Sequence, residues 1–370
     1  MKIERRFSRQ IHVGDVAIGG DAPISVQSMT TTKTHDVEAT CDEIARLEEA
    51  GCELIRVTVP KPKDAEALSK IKARMKVPLI ADVHFDYRMA LASVDAGADC
   101  IRINPGNIGS RERVQEVVRA CRSRNVPIRI GVNAGSLEKD LLEKYGYPTA
   151  EGMVESAMRH VGILEAEDFH DIKISIKASN VPLMVSAYRL LASRCDYPLH
   201  VGVTEAGMPP SGQIKSAIGI GMLLAEGIGD TIRVSLTADS VQEVDAGFDI
   251  LRTLNIRAKG AMIVACPSCG RIEVDLFKLV DEAKAKLAHI QKPLNVSILG
   301  CAVNGPGEAR EADIGIAGGK NGGLLIHRGE IIGRFKEGEL VDKLVEAAEV
   351  LDAGGQLELP SKDLPSKAAS

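Results

Sequence analysis

The chain has 370 residues, is 45% hydrophobic and 26% charged, and carries a net charge of −5. That is the make-up of a globular protein with material for one large and one small domain. The acidic balance argues against broad nucleic-acid binding, and 3% aromatics without a tryptophan leave little for base stacking or membrane-interface belts. The N-terminus MKIERRFSRQ lacks an apolar secretory core, and no run reaches the roughly 18 apolar residues of a membrane span, so a cytoplasmic protein is expected.

Residues 11–19 (IHVGDVAIG) turn at Gly-Asp and predict a short hairpin closing one end of a barrel. A rhythm then begins. Short apolar or β-branched runs recur at 24–27, 54–59, 78–83, 100–103, 127–132, 172–176, 199–203 and 231–236, separated by segments of helical period. Gly51 and Gly97 stand where left-handed helix caps are expected, just before the next strand. Eight strands alternating with helices predict a TIM (β/α)8 barrel, with an open Rossmann-like sheet as the alternative. The segment around Gly219 and Gly221 lacks the third glycine of a dinucleotide fingerprint and is expected to be a close-packed helix.

Near residue 258 the rhythm changes. A strand at 261–265 leads into CPSCG, a helix covers about 274–291, and a strand at 295–299 leads into GCAVNGPGE. Strands at 313–317 and 323–327 and a helix at 338–351 complete a small α/β unit. The expected domains are therefore a substrate-binding barrel at 1–258, a metal domain at 259–355 and a disordered tail at 356–370.

Active sites of such barrels lie at the C-terminal strand ends. Five strands here set one cation between apolar neighbours: Arg56, Arg102, Arg129, Lys177 and Arg233, with Asn133 beyond the fifth strand. Some of these cations pair structurally in the ordinary case, but several together inside a barrel imply an anionic ligand. Arginine matches phosphate bidentately, and each charge-assisted bond is worth about 1.5–3 kcal/mol. A diphosphate-sized group is expected. Asp82, His84 and Asp86 alternate and are expected on one side of the third strand, as a hard-metal or relay cluster or as partners of substrate or arginine. Glu205, in TEAG after the seventh strand, is an acid/base group or a structural counter-ion.

Cys41, Cys52, Cys100, Cys121 and Cys195 share no spacing and are expected to be packing residues. Cys266, Cys269 and Cys301 lie in turns. A redox CxxC leaves Cys301 unexplained, a structural zinc wants a fourth Cys or His, and the radical-type CxxxCxxC is absent. Three thiolates with one oxygen ligand, Glu308, fit a cubane cluster. The harder carboxylate would leave one iron easier to open to a substrate oxygen.

Together VQSMT (26–30), ADVHFDYR (81–88), RINPGNIG (102–109), RIGVNAGSLE (129–138), TEAG (204–207), CPSCGR (266–271) and CAVNGPGE (301–308) resemble the family of bacterial 4-hydroxy-3-methylbut-2-en-1-yl diphosphate synthases, over about residues 10–350. The resemblance implies a TIM barrel followed by a domain like those of nitrite and sulfite reductases. It implies a [4Fe-4S] cluster on Cys266, Cys269, Cys301 and Glu308. It also implies reductive opening of 2-C-methyl-D-erythritol 2,4-cyclodiphosphate, a cyclic diphosphate, with loss of a hydroxyl as water. Arg56, Arg102, Arg129, Asn133, Lys177 and Arg233 match its diphosphate-binding positions and Glu205 its acid/base glutamate. Electrons would come from flavodoxin or ferredoxin, since the sequence carries no flavin or nicotinamide motif. A head-to-tail homodimer would set each cluster domain over its partner's barrel. Two other readings are carried forward: a pteroate-synthase-like barrel transferase with a structural metal, and a cluster-bearing redox sensor that the cation set does not suit.

Overall fold

The computed structural model describes residues 3–104, 108, 110–301, 309–320 and 322–357. The chain divides between Arg257 and Ala258 into two compact units. Glu308 and most of the tail fall outside the described residues.

The first unit opens with a hairpin, β1 (Ile11–Val13) and β2 (Val16–Ile18). There follow β3 (Ser25–Met29), α1 (Val37–Glu49), β4 (Leu54–Thr58), α2 (Pro62–Lys72), β5 (Leu79–Asp82), α3 (Tyr87–Asp95), β6 (Cys100–Ile103) and α4 (Arg111–Ser123). The second half holds β7 (Ile128–Asn133), α5 (Lys139–Tyr145), α6 (Ala150–Glu165), β8 (Ile172–Lys177), α7 (Val181–Ala192), β9 (His200–Val201), α8 (Ser211–Ala225), β10 (Thr231–Ile232) and α9 (Ser240–Thr253).

The parallel sheet runs β8-β7-β6-β5-β4-β3-β10-β9, and one bridge, Ile174 to Leu199, brings β8 and β9 together to close the barrel. The last two strands hold only two residues each, shorter than the runs at 199–203 and 231–236 predict. Local chemistry sets the helix limits. The Asp36 side chain accepts from the Ala39 amide at the start of α1, and Gly51 and Gly97 take φ of 89° and 93° after α1 and α3, as the sequence predicts.

One side of each strand packs on the helices, where Ile55, Val57, Ile101, Ile130, Ile174 and Ile176 are fully buried. The other side faces the barrel interior. At its N-terminal end Ile11, Val13 and Ile18 of the hairpin pack on Leu54, Ile80 and Cys100, forming an apolar floor. Each fully buried aliphatic side chain there contributes about 1.5–3 kcal/mol. The hairpin is the plug the sequence predicts.

The second unit has one sheet, β11 (Ala261–Ala265), β12 (Leu294–Leu299), β13 (Ile314–Gly319), β14 (Gly322–His327) and β15 (Glu330–Phe335), in that order. The first three strands are parallel and the last two antiparallel. Helices α10 (Leu276–Lys286) and α11 (Leu340–Asp352) cover it, with Leu279, Ala283, Leu340 and Leu344 in its core. The strand β15 is not among the sequence expectations.

Candidate active site

Above the apolar floor the barrel interior turns cationic. Strand register sets Arg102 beside Arg129 and Arg129 beside Lys173, with Asn133 beside Lys177 further up. Arg56 projects from β4, and Arg233 follows β10 directly. Arg56, Arg102, Arg129 and Lys177 are each less than a tenth exposed, and Arg233 is partly buried. The structure therefore gathers all five predicted cations in one chamber.

Their partners are few. Asp82, at the end of β5, takes Arg102 Nη1 at 3.0 Å and stands 3.5 Å from Arg56 Nε. Arg233 Nη2 lies 3.5 Å from Glu243 Oε2, and that carboxylate also accepts from Ser28 Oγ. Arg129 gives Nε and Nη2 to the Ser175 hydroxyl at 3.2 and 3.0 Å. Arg56 Nη2 donates to the Met29 thioether at 2.8 Å, a weak acceptor for a guanidinium.

Electrostatics follow from this crowding. Burial pushes the Arg56 guanidinium down to about 10; Asp82 opposes this, and Arg233 and Arg102 add to it. Burial also takes Arg129 and Lys177 well below their ordinary values, with the neighbouring cations adding to it. Burial pushes Asp82 up, but Arg56, then Arg102, His84 and Arg129, pull its carboxyl down to about 2. A chamber with this surplus of positive charge favours an anion from water.

Two glycines give the cations room. A Cβ at Gly131 would lie 2.5 Å from Arg102 Nε, and one at Gly202 would meet the Arg233 carbonyl and sit 3.2 Å from Lys177 Nζ.

The triplet after β5 does not act as one cluster. His84 Nε2 lies 3.1 Å from Arg102 Nη1 and joins Asp82, but Asp86 accepts from the Arg88 amide and caps α3. The strand ends at Asp82, so the alternation that would align all three is lost. Glu205 is exposed in the loop after β9, with φ of 52°, and its carbonyl accepts from Lys215 Nζ at 3.3 Å.

Sequence reasoning passed over Lys173 and His200, both fully buried in the barrel interior. The signal was present: Lys173, Ser175 and Lys177 alternate along β8.

In the second unit, the parallel pairing of Ala265 with Ile298 brings the ends of β11 and β12 side by side. Cys266 and Cys301 thus leave neighbouring strands, and Cys266 Sγ accepts from the Gly300 amide at 3.2 Å. A thiol sulfur receiving an amide, in a turn open to solvent, is a setting in which a thiolate can bind a soft metal. Cys269 is exposed and Cys301 half-buried. Cys41, Cys52, Cys100 and Cys121 are buried instead, and burial pushes the Cys52 thiol up to about 12. Among the described residues no three His, Cys, Asp or Glu side chains are drawn close enough to hold a metal ion, and Glu308 lies outside them. The donor set fits an iron–sulfur cluster; the described residues do not enclose one.

The chain matches the GcpE TIM-barrel domain over residues 8–248 and the GcpE protein C-terminal domain over 262–350. It is 59% identical over 94% of each chain to a 4-hydroxy-3-methylbut-2-en-1-yl diphosphate synthase (flavodoxin) of Symbiobacterium thermophilum. It is 57% identical to the same-named protein of Geobacillus kaustophilus, over 92% of this chain and 91% of that one. Among solved structures, a dihydropteroate synthase of Stenotrophomonas maltophilia covers 67% of this chain and 98% of its own, at 15% identity and a TM-score of 0.49. The chain belongs to the GcpE family.

Proposed function

We propose that this GcpE-family chain acts as a 4-hydroxy-3-methylbut-2-en-1-yl diphosphate synthase, opening and reducing 2-C-methyl-D-erythritol 2,4-cyclodiphosphate by two electrons. The enzyme assignment follows from the family and from relatives of that name at 54–59% identity over more than nine-tenths of the chain. The pteroate-synthase-like alternative is not favoured, since those relatives cover more than nine-tenths of the chain and the family models match both domains.

The observation that carries the substrate reading is the barrel interior: buried arginines and a lysine with only Asp82 and Glu243 as ion-pair carboxylates among the described residues. Arg56, Arg102, Arg129, Lys177 and Arg233 would hold the diphosphate, with Asn133 beside Lys177 as a neutral donor. Arg56, paired with a thioether, would exchange a weak acceptor for a phosphate oxygen. Asp82 keeps Arg56 and Arg102 directed at one point before the ligand arrives. Glu205 would hand a proton from Oε to the departing hydroxyl. Its exposed position gives that carboxyl access to solvent protons.

Membership in the family makes this an iron–sulfur enzyme. Cys266, Cys269 and Cys301, with Glu308 as oxygen ligand, would hold a [4Fe-4S] cluster, which supplies the two electrons one at a time. Those electrons would come from a flavodoxin, as the relatives' name states, or a ferredoxin. A cytoplasmic enzyme served by a protein donor is part of this reading; no helix among the described residues is long and apolar enough to cross a membrane. A head-to-tail homodimer is supported by the exposed apolar stripe Ile214, Ile218 and Met222 on α8, which a second copy would cover.

The testing experiment is turnover of the cyclodiphosphate by the anaerobically prepared chain with reduced flavodoxin. Product formation that stops without the donor is the expected result. Activity that survives Cys301→Ala without a donor would overturn the reading.

A further inference from the structure

We propose that the floor of the barrel is a second anion site, beneath the diphosphate chamber and sharing Arg129 with it, built for one monovalent anion of the halide class. Lys173, His200 and Arg129 form it. The inference does not depend on the reductase reading.

The strand pattern places the three together. Ile174 and Leu199 pair across β8 and β9 and belong to the outer core beneath the helices. Their neighbours Lys173 and His200 therefore project to the opposite, inner side. Lys173 stands opposite Arg129, both two residues before the Gly131–Ser175 level, to which Arg129 reaches up with Nε and Nη2. Lys177 lies four residue steps beyond Lys173 along β8, about 13 Å of backbone at roughly 3.3 Å per residue. The apolar plug of Ile11, Val13 and Ile18 closes the chamber from beneath. From above, the Arg102 side chain crosses the face of Gly131, where a Cβ would be 2.5 Å from Nε.

At this level of the barrel the polar atoms lack partners. Lys173 and His200 are 0% exposed and Arg129 1%. Among the described residues Lys173 Nζ, both ring nitrogens of His200 and Arg129 Nη1 make no hydrogen bond, and neither does the Gln27 amide from β3. Asp82 is already committed to Arg102 and Arg56, and Ser175 Oγ to the other arms of Arg129.

A buried ammonium and a buried guanidinium arm that face no acceptor are costly, and native interiors resolve such a cost with an ion or water. Water would satisfy the hydrogen bonds but leave the charge uncompensated, so a small anion fits better. Burial pushes the Lys173 ammonium down to about 8, against the Cys100 thiol and with Arg129 and Arg56 adding. Burial, then Arg129, Lys177 and Lys173, hold His200 well below its ordinary value. Burial leads both shifts, and the neighbouring cations add to them.

The test uses the full chain, purified and crystallised in bromide and measured at the bromine absorption edge. One anomalous peak within hydrogen-bonding reach of Lys173 Nζ and the His200 ring is expected. No peak there, or peaks only at the mouth or outer surface, would overturn the proposal. In solution, replacing gluconate by chloride at equal ionic strength should raise the melting temperature by several degrees and saturate. Lys173→Met should abolish that response. An equal response in both proteins would count against the site, and if the variant does not fold the bromide map alone decides.

Discussion

Asp82→Asn is the sharpest probe of the cation chamber. The side chain is 3% exposed, bonded to Arg102 at 3.0 Å and set 3.5 Å from Arg56, and its carboxyl is held at about 2 against an ordinary 3.8. At about 1.4 kcal/mol per pH unit, that depression is worth roughly 2–3 kcal/mol at neutral pH. Breaking a buried pair by removing one partner costs about 3–5 kcal/mol. Asparagine keeps an acceptor for Arg102, so the loss should fall near the lower of these values. The sign follows from the direction of the shift. A carboxyl lowered on folding stabilises above its ordinary range and stops doing so as pH falls toward about 2. Urea midpoints of the barrel should thus differ widely at pH 7, and the gap should narrow between roughly pH 4 and pH 2. Inorganic pyrophosphate should stabilise the variant more than the parent, because Arg56 and Arg102 have lost their internal counter-ion. An unchanged midpoint at pH 7, or a gap that stays constant into acid, would refute the reasoning.

Glu205→Gln should keep the cluster's optical spectrum and substrate binding while losing most turnover; loss of the spectrum would contradict its acid/base role. Gly131→Ala should force Arg102 out of its place, at about 1–3 kcal/mol of overpacking. It should raise KM far more than it lowers kcat, and unchanged KM would mean that Arg102 does not meet the substrate. Cys301→Ala should bleach the protein and remove its iron, yet leave pyrophosphate binding by the barrel intact. Joint loss of both would mean that this thiol supports the fold and not a separate cluster site.

Much of the barrel was legible because parallel strands buried on both faces are written as short aliphatic runs, as in IRIGV and IKISI. The cations stood out in those runs because charge is rare between isoleucines. Lys173 and His200 were missed for a related reason. Attention to strand ends finds Lys177, but the same two-residue alternation sends Lys173 into the interior a few residues earlier. The strand β15 was missed because its turn is brief, two positive-φ residues, Arg328 at 47° and Gly329 at 87°, that reverse the chain at once. Asp86 misled because alternation holds only while the strand lasts, and capping of α3 claimed that side chain instead. The cluster site was legible only as a donor set. Spacing in CPSC and CAVNGPGE names soft ligands, while their convergence depends on turns, including Glu308, that lie beyond what the described residues fix.

The measurement that bears most directly on the account is iron and acid-labile sulfide analysis of the anaerobically purified chain, with electron paramagnetic resonance before and after adding the cyclodiphosphate. A brown protein with the iron and sulfide of one [4Fe-4S] cluster per chain, whose reduced signal changes on adding the substrate, is the predicted result. A colourless protein holding a single zinc, or a cluster whose signal ignores the substrate, would contradict it.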